Sequence, residues 1–125
     1  GMSIKSLLAH VEPEDLQDVK NFCKVDGNLE DTEITGLMLS ARRDIIGQVG
    51  YQIDDFFDDN WNFKYAVWLK TYHSYNNRDT SSNAMTFEIQ DTYNSTINAM
   101  KDDYRYRMWL NDKEKESNIE ERNED

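Results

Sequence analysis

Proline, glycine, cysteine and histidine are all scarce in this sequence of 125 residues, which has one, five, one and two of them. Because Pro13 is the only proline, long stretches are free to form helix. The single Cys23 cannot form a disulfide within the chain, and the scarce histidines and cysteine match no zinc pattern. The sequence lacks a run of roughly 20 consecutive apolar residues, which a membrane span requires. It also lacks the apolar core of a signal peptide. Gly1 before Met2 is typical of a protease-cleavage remnant, so we expect Met2 to be the native start.

Cations are also in the minority, since 14 Lys and Arg stand against 25 Asp and Glu, for a formal net charge of −11. Nucleic-acid binding needs clustered Lys and Arg to neutralise phosphates, and anionic membrane surfaces attract basic segments. We therefore expect no sequence-specific nucleic-acid binding and no membrane binding. Three Trp, seven Tyr and five Phe are too many for a disordered chain, and a chain of this length has room for one domain.

Apolar residues at helical spacing predict an all-α fold, a small bundle of about four helices. The first helix begins at Pro13, which suits a first helical position, and runs to about Lys24. The second has Asp31 or Thr32 as its N-cap and ends at Gly50 as the residue after the helix. This second segment is the cleanest amphipathic stretch of the sequence.

Two polar connections separate the remaining helices. A long acidic and aromatic loop over residues 51–60 precedes a third helix over 61–76. That helix has an apolar arc about half its circumference wide, which requires contacts on two sides. A polar, turn-like stretch covers 77–87, with 79–83 as its least structured part, and a fourth helix begins near Ile89.

The C-terminal part of the chain loses its helical periodicity. Residues from Tyr104 to Met108 alternate with period two, so a short strand and a continued helix both remain open. Residues 112–125 contain one apolar residue among charged and polar ones, which predicts a disordered acidic tail. The predicted organisation is a helical domain over 1–111 and a tail over 112–125.

The second and third helices are predicted to supply the core, through Ile34, Leu37, Ala41, Ile45, Trp68, Leu69 and Tyr72. Leu39 and Ile46 fall outside this stripe, and this surplus apolar surface lies beside two cations. An apolar centre rimmed by charge suits a protein interface, so we predict an oligomer interface with a neighbour's acidic loop. Its residues are Leu39, Arg42, Arg43, Ile46, Asp54, Asp55, Asp58 and Asp59. The alternative is that Leu39 and Ile46 merely cover the segment around Ile4, Leu7 and Leu8.

No residue pattern indicates catalysis, a metal or another cofactor. The aspartates at 54–59 lack the alternating spacing of a calcium loop, so a solvated loop is the simpler interpretation. His73 lies on an aromatic helix, where packing is the simpler explanation, and Cys23 is most simply a small core residue. Arg105 and Arg107 alternate with tyrosines, which in so acidic a chain favours a protein interface over nucleic acid. We therefore predict that the chain is not an enzyme.

Several segments carry a resemblance to a known family. An opening helix ends in Val25-Asp26, a second helix ends in a glycine, a third ends in a Tyr-x-x-Arg-acidic pattern, and a last helix closes with a basic residue. In their order and spacing they resemble the head–tail connector (adaptor) proteins of tailed bacteriophages and their prophages. The segments are residues 19–26, Asp31, 34–50, 65–79 and 97–105, and the resemblance covers residues 16–107.

The resemblance implies a structural protein that forms a ring of about a dozen copies between the portal and the stopper or tail proteins, with DNA passing through. Its expected location is the neck of the virion, and the host cytoplasm during assembly. The composition leaves open another class, an acidic protein-binding module or DNA mimic that occupies a basic groove. A connector subunit self-associates, whereas a mimic binds a basic protein as a monomer or dimer.

Overall fold

The structure, a computed structural model, describes residues 2–79 and 85–123. Five α-helices form this part of the chain: α1 (Ile4–Ala9), α2 (Pro13–Cys23), α3 (Asp31–Val49), α4 (Trp61–Asn76) and α5 (Phe87–Asn123). No strand occurs in either described range. The all-α bundle is confirmed, and the four predicted helices begin within about two residues of their expected positions. Most of the turn predicted at 79–83 and the last two residues of the tail lie outside the described residues.

The first helix, α1, was not predicted. It is six residues long, and the Ser3 hydroxyl caps it by accepting a hydrogen bond from the Ser6 amide at 3.1 Å. Ile4 and Leu7 are buried in the core, and the Ile4 amide donates to the Asp54 carboxylate at 3.1 Å. Because so short a helix is unstable in isolation, tertiary contacts hold α1 in place.

The N-cap of α3 differs from expectation. Asp31 and Thr32 lie inside α3, and the cap position is Glu30, whose side chain makes no capping hydrogen bond. Asp31 instead pairs with the buried Lys20 ammonium of α2 at 2.8 Å. The α4 helix is capped by Asn60, which accepts from the Phe63 amide at 3.1 Å. The acidic residue that begins α3 thus connects two helices.

The α4 helix lies at the centre of the bundle, in contact with α2, α3 and α5. The predicted core residues Ile34, Ala41, Ile45 and Leu69 are buried, while Leu37, Trp68 and Tyr72 are only partly buried. The core has two clusters, a large one centred on α3, α4 and α5 and a small one under α2. Contacts with three other helices explain why the apolar arc of α4 is so wide.

The acidic and aromatic loop between α3 and α4 contributes to the core. Ile53, Phe56 and Phe57 are buried, while most of the aspartates between and beside them are exposed. The ring of Phe57 packs on Phe63 of α4 with centroids 5.0 Å apart, and that of Phe56 packs edge-on against Tyr104 of α5 at 5.2 Å. These aromatic contacts fix the loop between α4 and α5.

Gly50 ends α3 at a position that no other residue fits. Its φ is +144°, and a Cβ there would lie 2.7 Å from the ring of Tyr104. The Tyr104 hydroxyl accepts a hydrogen bond from the Gln52 amide at 2.8 Å. The absence of a side chain therefore lets the tyrosine ring close over the end of α3.

The last helix, α5, continues through the segment that the sequence left open and on to Asn123. The strand alternative for 104–108 is therefore wrong, and the predicted disordered tail is helical over 112–123 in the structure. Extending an existing helix adds a hydrogen bond per residue without a new nucleation cost. Lys and Glu favour helix, and Lys113 pairs with Glu116 at 3.7 Å. Every residue from Asp112 to Arg122 is exposed, so this extension makes no core contact.

Candidate protein interaction site

The predicted interface on the flank of α3 is corrected at two residues by the structure. Ile46 is fully buried, at 0% exposure, in the cluster that also contains Ile4 and Leu7. Arg42 is 4% exposed. Because α1 packs against α3, the flank that looked like surplus surface from α3 alone is largely covered within the chain. Ile46 is therefore not available to a neighbouring subunit, and the donors of Arg42 are engaged within the chain.

Arg42 instead connects three segments of the chain. Its guanidinium donates to the carbonyls of Leu7 at 3.1 Å and His10 at 3.0 Å, and to the Asp15 carboxylate at 3.1 Å. Burial lowers the pKa of Arg42, and the charge of Asp15 opposes that effect. A planar group with several donors in fixed directions suits this arrangement of acceptors. Arg42 therefore ties α1 and the start of α2 to α3.

The other predicted interface residues do not form one surface. Leu39 is partly buried, and the exposed Arg43 lines a shallow pocket with Asp44 and Lys70 of the α3–α4 face. The aspartates of the loop lie elsewhere. Asp54 binds the start of α1, Asp55 pairs with Arg107 of α5 at 3.2 Å, and Asp58 and Asp59 line a different groove.

That groove, which we call the acidic groove, lies where α1, α2, α3, α4 and the aromatic loop meet and has a volume of about 430 Å³. Its apolar lining includes Phe57, Val67 and Trp68. Carboxylates outnumber cations around it, five against Arg42 and Lys64, so the groove has a negative rim. The carboxylates are Glu12, Glu14, Asp15, Asp58 and Asp59.

An exposed aromatic cluster adjoins the acidic groove. Trp61, at the start of α4, is 60% exposed and packs edge-on against Trp68 of the groove with centroids 5.4 Å apart. Trp68 in turn packs on Phe22 of α2 at 5.4 Å. Aromatic side chains are enriched in protein interfaces. The groove and this cluster therefore form a continuous surface suited to a protein partner.

A second exposed surface lies on α5 beyond the body of the bundle. Tyr106, Trp109 and Leu110 are 60%, 53% and 39% exposed, and their spacing places them on one side of the helix. The rings of Tyr106 and Trp109 stack with centroids 6.0 Å apart, and the Lys113 ammonium lies 5.7 Å from the Trp109 ring. We call these four residues the aromatic face of α5.

His73 and Cys23, the two titratable residues that the sequence analysis assigned to packing, both lie against the core of the bundle. His73 is buried in α4, and Cys23 packs against the small cluster under α2. Within the described ranges, no group of three or more His, Cys, Asp or Glu side chains is placed to hold a metal ion. None of the helices described is both long and apolar enough to cross a membrane.

Burial raises the pKa of the Cys23 thiol to about 11, from a reference value of 9.0. Because the thiolate is the reactive form, folding should slow alkylation at pH 8 on the order of 100-fold relative to the urea-unfolded chain. The folded rate should keep rising about tenfold per pH unit up to pH 10, whereas the unfolded rate levels off above pH 9. Iodoacetamide labelling followed by mass spectrometry measures both rates. Equal rates at pH 8 would contradict the burial of the thiol.

Two exposed aromatic surfaces on a small helical domain suit a protein that binds partners, and comparison with known families agrees. The family model described as "Phage gp6-like head-tail connector protein" matches residues 13–107, about three quarters of the chain. The chain therefore belongs to this family of phage head–tail connectors, whose role is structural. The resemblance found in the sequence is confirmed over nearly the same range. No curated protein and no solved structure matches the chain.

A protein interface around Tyr106 was favoured from the sequence, but the rest of the aromatic face of α5 was not predicted, although the sequence contains a local signal for it. Tyr106, Trp109 and Leu110 recur at i, i+3 and i+4, the spacing of one helix face. The period-two alternation over 104–108 competed with that pattern, and the charged tail suggested that the helix ended. The acidic groove had no such signal, because its walls come from segments far apart in the sequence.

Proposed function

We propose that this chain is a subunit of a homo-oligomeric ring at the head–tail junction, between the portal and the stopper or tail proteins. DNA passes through the centre of the ring. Family membership supports the connector role, and the observation that supports a ring is the presence of two different exposed apolar surfaces on one small domain. Contacts between two different surfaces repeat head to tail, and they close into a ring when the rotation per subunit allows it.

The charge of the chain suits a channel for DNA. With a net charge of −11 per subunit, the wall of the ring repels the phosphate backbone, so DNA slides without adhering. The same charge makes subunits repel one another. Salt reduces that long-range repulsion, because the Debye length falls from about 10 Å at 0.1 M to about 3 Å at 1 M. Apolar contacts and close ion pairs at the interface are screened less.

Electron microscopy of the chain bound to the portal protein of its phage tests this function. We expect a ring of subunits on the portal in averaged images. For the isolated chain, we expect native mass spectrometry to detect more oligomer after assembly at 1 M salt than at 0.1 M. In this proposal the portal is the template for ring closure, so a monomer in isolation is compatible with a ring on the portal.

Two outcomes would contradict the proposal. One is a portal that carries single, unconnected copies or none at all. The other is a chain that remains monomeric or dimeric on every phage partner yet binds a basic protein stoichiometrically, which is the behaviour of an acidic binding module. Competition of that complex by DNA would then identify a DNA mimic, because a mimic occupies the phosphate-binding surface of its target.

A further inference from the structure

The distal part of α5 extends away from the bundle without support. Asn111 is the last described residue of α5 that is partly buried, and the helix continues from it to Asn123. At 1.5 Å per residue, this extension is about 18 Å long. A helix of that length is marginally stable by itself in water. The apolar surface at its base, the aromatic face, is therefore open to a partner.

The aromatic face has cations beside its apolar side chains. Trp109 is 53% exposed, and Lys113 lies above its ring. Arg105, whose side chain is 76% exposed, precedes Tyr106 on the adjacent strip of the helix surface and pairs with Asp102 one turn away. Lys113 likewise pairs with Glu116. Exposed ion pairs of this kind contribute little to stability, so both cations can exchange their partners within the helix for carboxylates of another molecule. A surface that is both acidic and apolar therefore suits this face.

The acidic groove is such a surface on the same molecule. Its lining combines apolar side chains with carboxylates, and of the carboxylates Glu14 and Asp59 are exposed. Since a cavity of roughly 150 Å³ holds a benzene ring, the groove of about 430 Å³ has room for an indole and a neighbouring side chain. Trp61 extends the apolar surface beyond the rim.

We propose that the aromatic face of α5 from one copy docks in the acidic groove of the next copy. Trp109 enters the groove, and Lys113 and Arg105 meet the carboxylates of the rim. This inference rests on the proposed ring and names the surfaces that form it. Because the face and the groove lie on different parts of the chain, every copy offers one of each, and the contact propagates head to tail.

Two variants disable one surface each. Trp109→Asp places a carboxylate at the centre of the aromatic face, and Glu14→Lys reverses a charge on the groove rim. Both residues are exposed, so both variants should fold. Each should raise the dissociation constant for self-association at least about tenfold, as expected for a central aromatic residue or a charge pair of an interface. Native mass spectrometry and assembly on the portal provide the readouts.

Matched controls separate the contact from general charge effects. Ile119→Asp changes an exposed apolar residue on another side of α5, and Glu88→Lys reverses a charge in the first turn of α5, as Glu14→Lys does in α2. Both controls should assemble like the wild type. In a mixture, the intact face of the Glu14→Lys chain should bind the intact groove of the Trp109→Asp chain. The expected product is a heterodimer that cannot extend.

The outcomes distinguish failure of this inference from failure of the ring. Rings of wild-type protein together with normal assembly of Trp109→Asp, or with equal effects of Glu14→Lys and Glu88→Lys, would overturn the docking contact alone. A mixture without heterodimers would do the same. If Trp109→Asp lost binding to the portal while rings still formed, α5 would bind another protein instead of a second copy. If the wild type formed no ring under any condition, both proposals would fail.

Discussion

The substitution Arg42→Ala is expected to lower the free energy of unfolding by about 3 kcal/mol, the lower end of the usual range for breaking a buried ion pair, because the partner Asp15 is 30% exposed. The guanidinium is buried and donates hydrogen bonds to the carbonyls of Leu7 and His10 and to the carboxylate of Asp15. Its loss leaves the two carbonyls without this donor and the carboxylate without its cation. Against a typical total of about 5–15 kcal/mol, the change is large. Urea denaturation monitored by circular dichroism measures it.

The neighbouring Arg43 provides the matched control, since it is exposed on the same helix. Arg43→Ala should change the stability by no more than about 0.5 kcal/mol. Arg42→Lys keeps the charge but loses the fork of donors, so it should recover only part of the stability. Similar small effects at Arg42 and Arg43 would show that α1 is not attached to α3 through this side chain.

Ile46→Asp is expected to have a still larger effect, about 5 kcal/mol or more, and to leave much of the protein unfolded at neutral pH. The fully buried Ile46 lies in the core cluster with Ile45 and Phe57. Removing its side chain costs about 2–5 kcal/mol, and a buried carboxylate without a partner adds the cost of its desolvation. Circular dichroism and urea denaturation report the loss.

Leu39→Asp is the control on the same flank of α3. Leu39 is only partly buried, so the cost should lie near the average of about 1 kcal/mol for a point substitution. The pair also decides between two interpretations of this flank. A folded Ile46→Asp variant that failed only to assemble would restore the α3 flank as the ring interface, against the packing of α1 on α3.

The helices and the family could be predicted from the sequence because the residue patterns that indicate them are local. Pro13 at the start of α2, Gly50 after α3 and the apolar periodicity between them act within a few residues of each position. The prediction that Ile34, Ala41 and Ile45 face the core needed only the helical repeat. Order and spacing of such segments were enough to indicate the connector family.

The candidate surfaces could not be predicted from the sequence in the same way. Arg42 looked like an exposed cation, because nothing in α3 indicates that the carbonyls of α1 and the carboxylate of Asp15 lie within hydrogen-bonding distance of it. Ile46 looked like surplus surface because the helix that covers it is six residues long and stable only through that contact. Both errors come from neighbours about 30 to 40 residues away in the sequence.

The sequence by itself determined that this chain is helical, acidic and a phage connector, since composition, periodicity and the order of capped helices are properties of the chain alone. Only the tertiary structure decided which apolar residues remain at the surface. Exposure depends on what packs against each side of a helix, and that requires segments distant in sequence to meet. Trp109 remains exposed because α5 runs past the end of the bundle, while Ile46 is buried because α1 folds back onto α3.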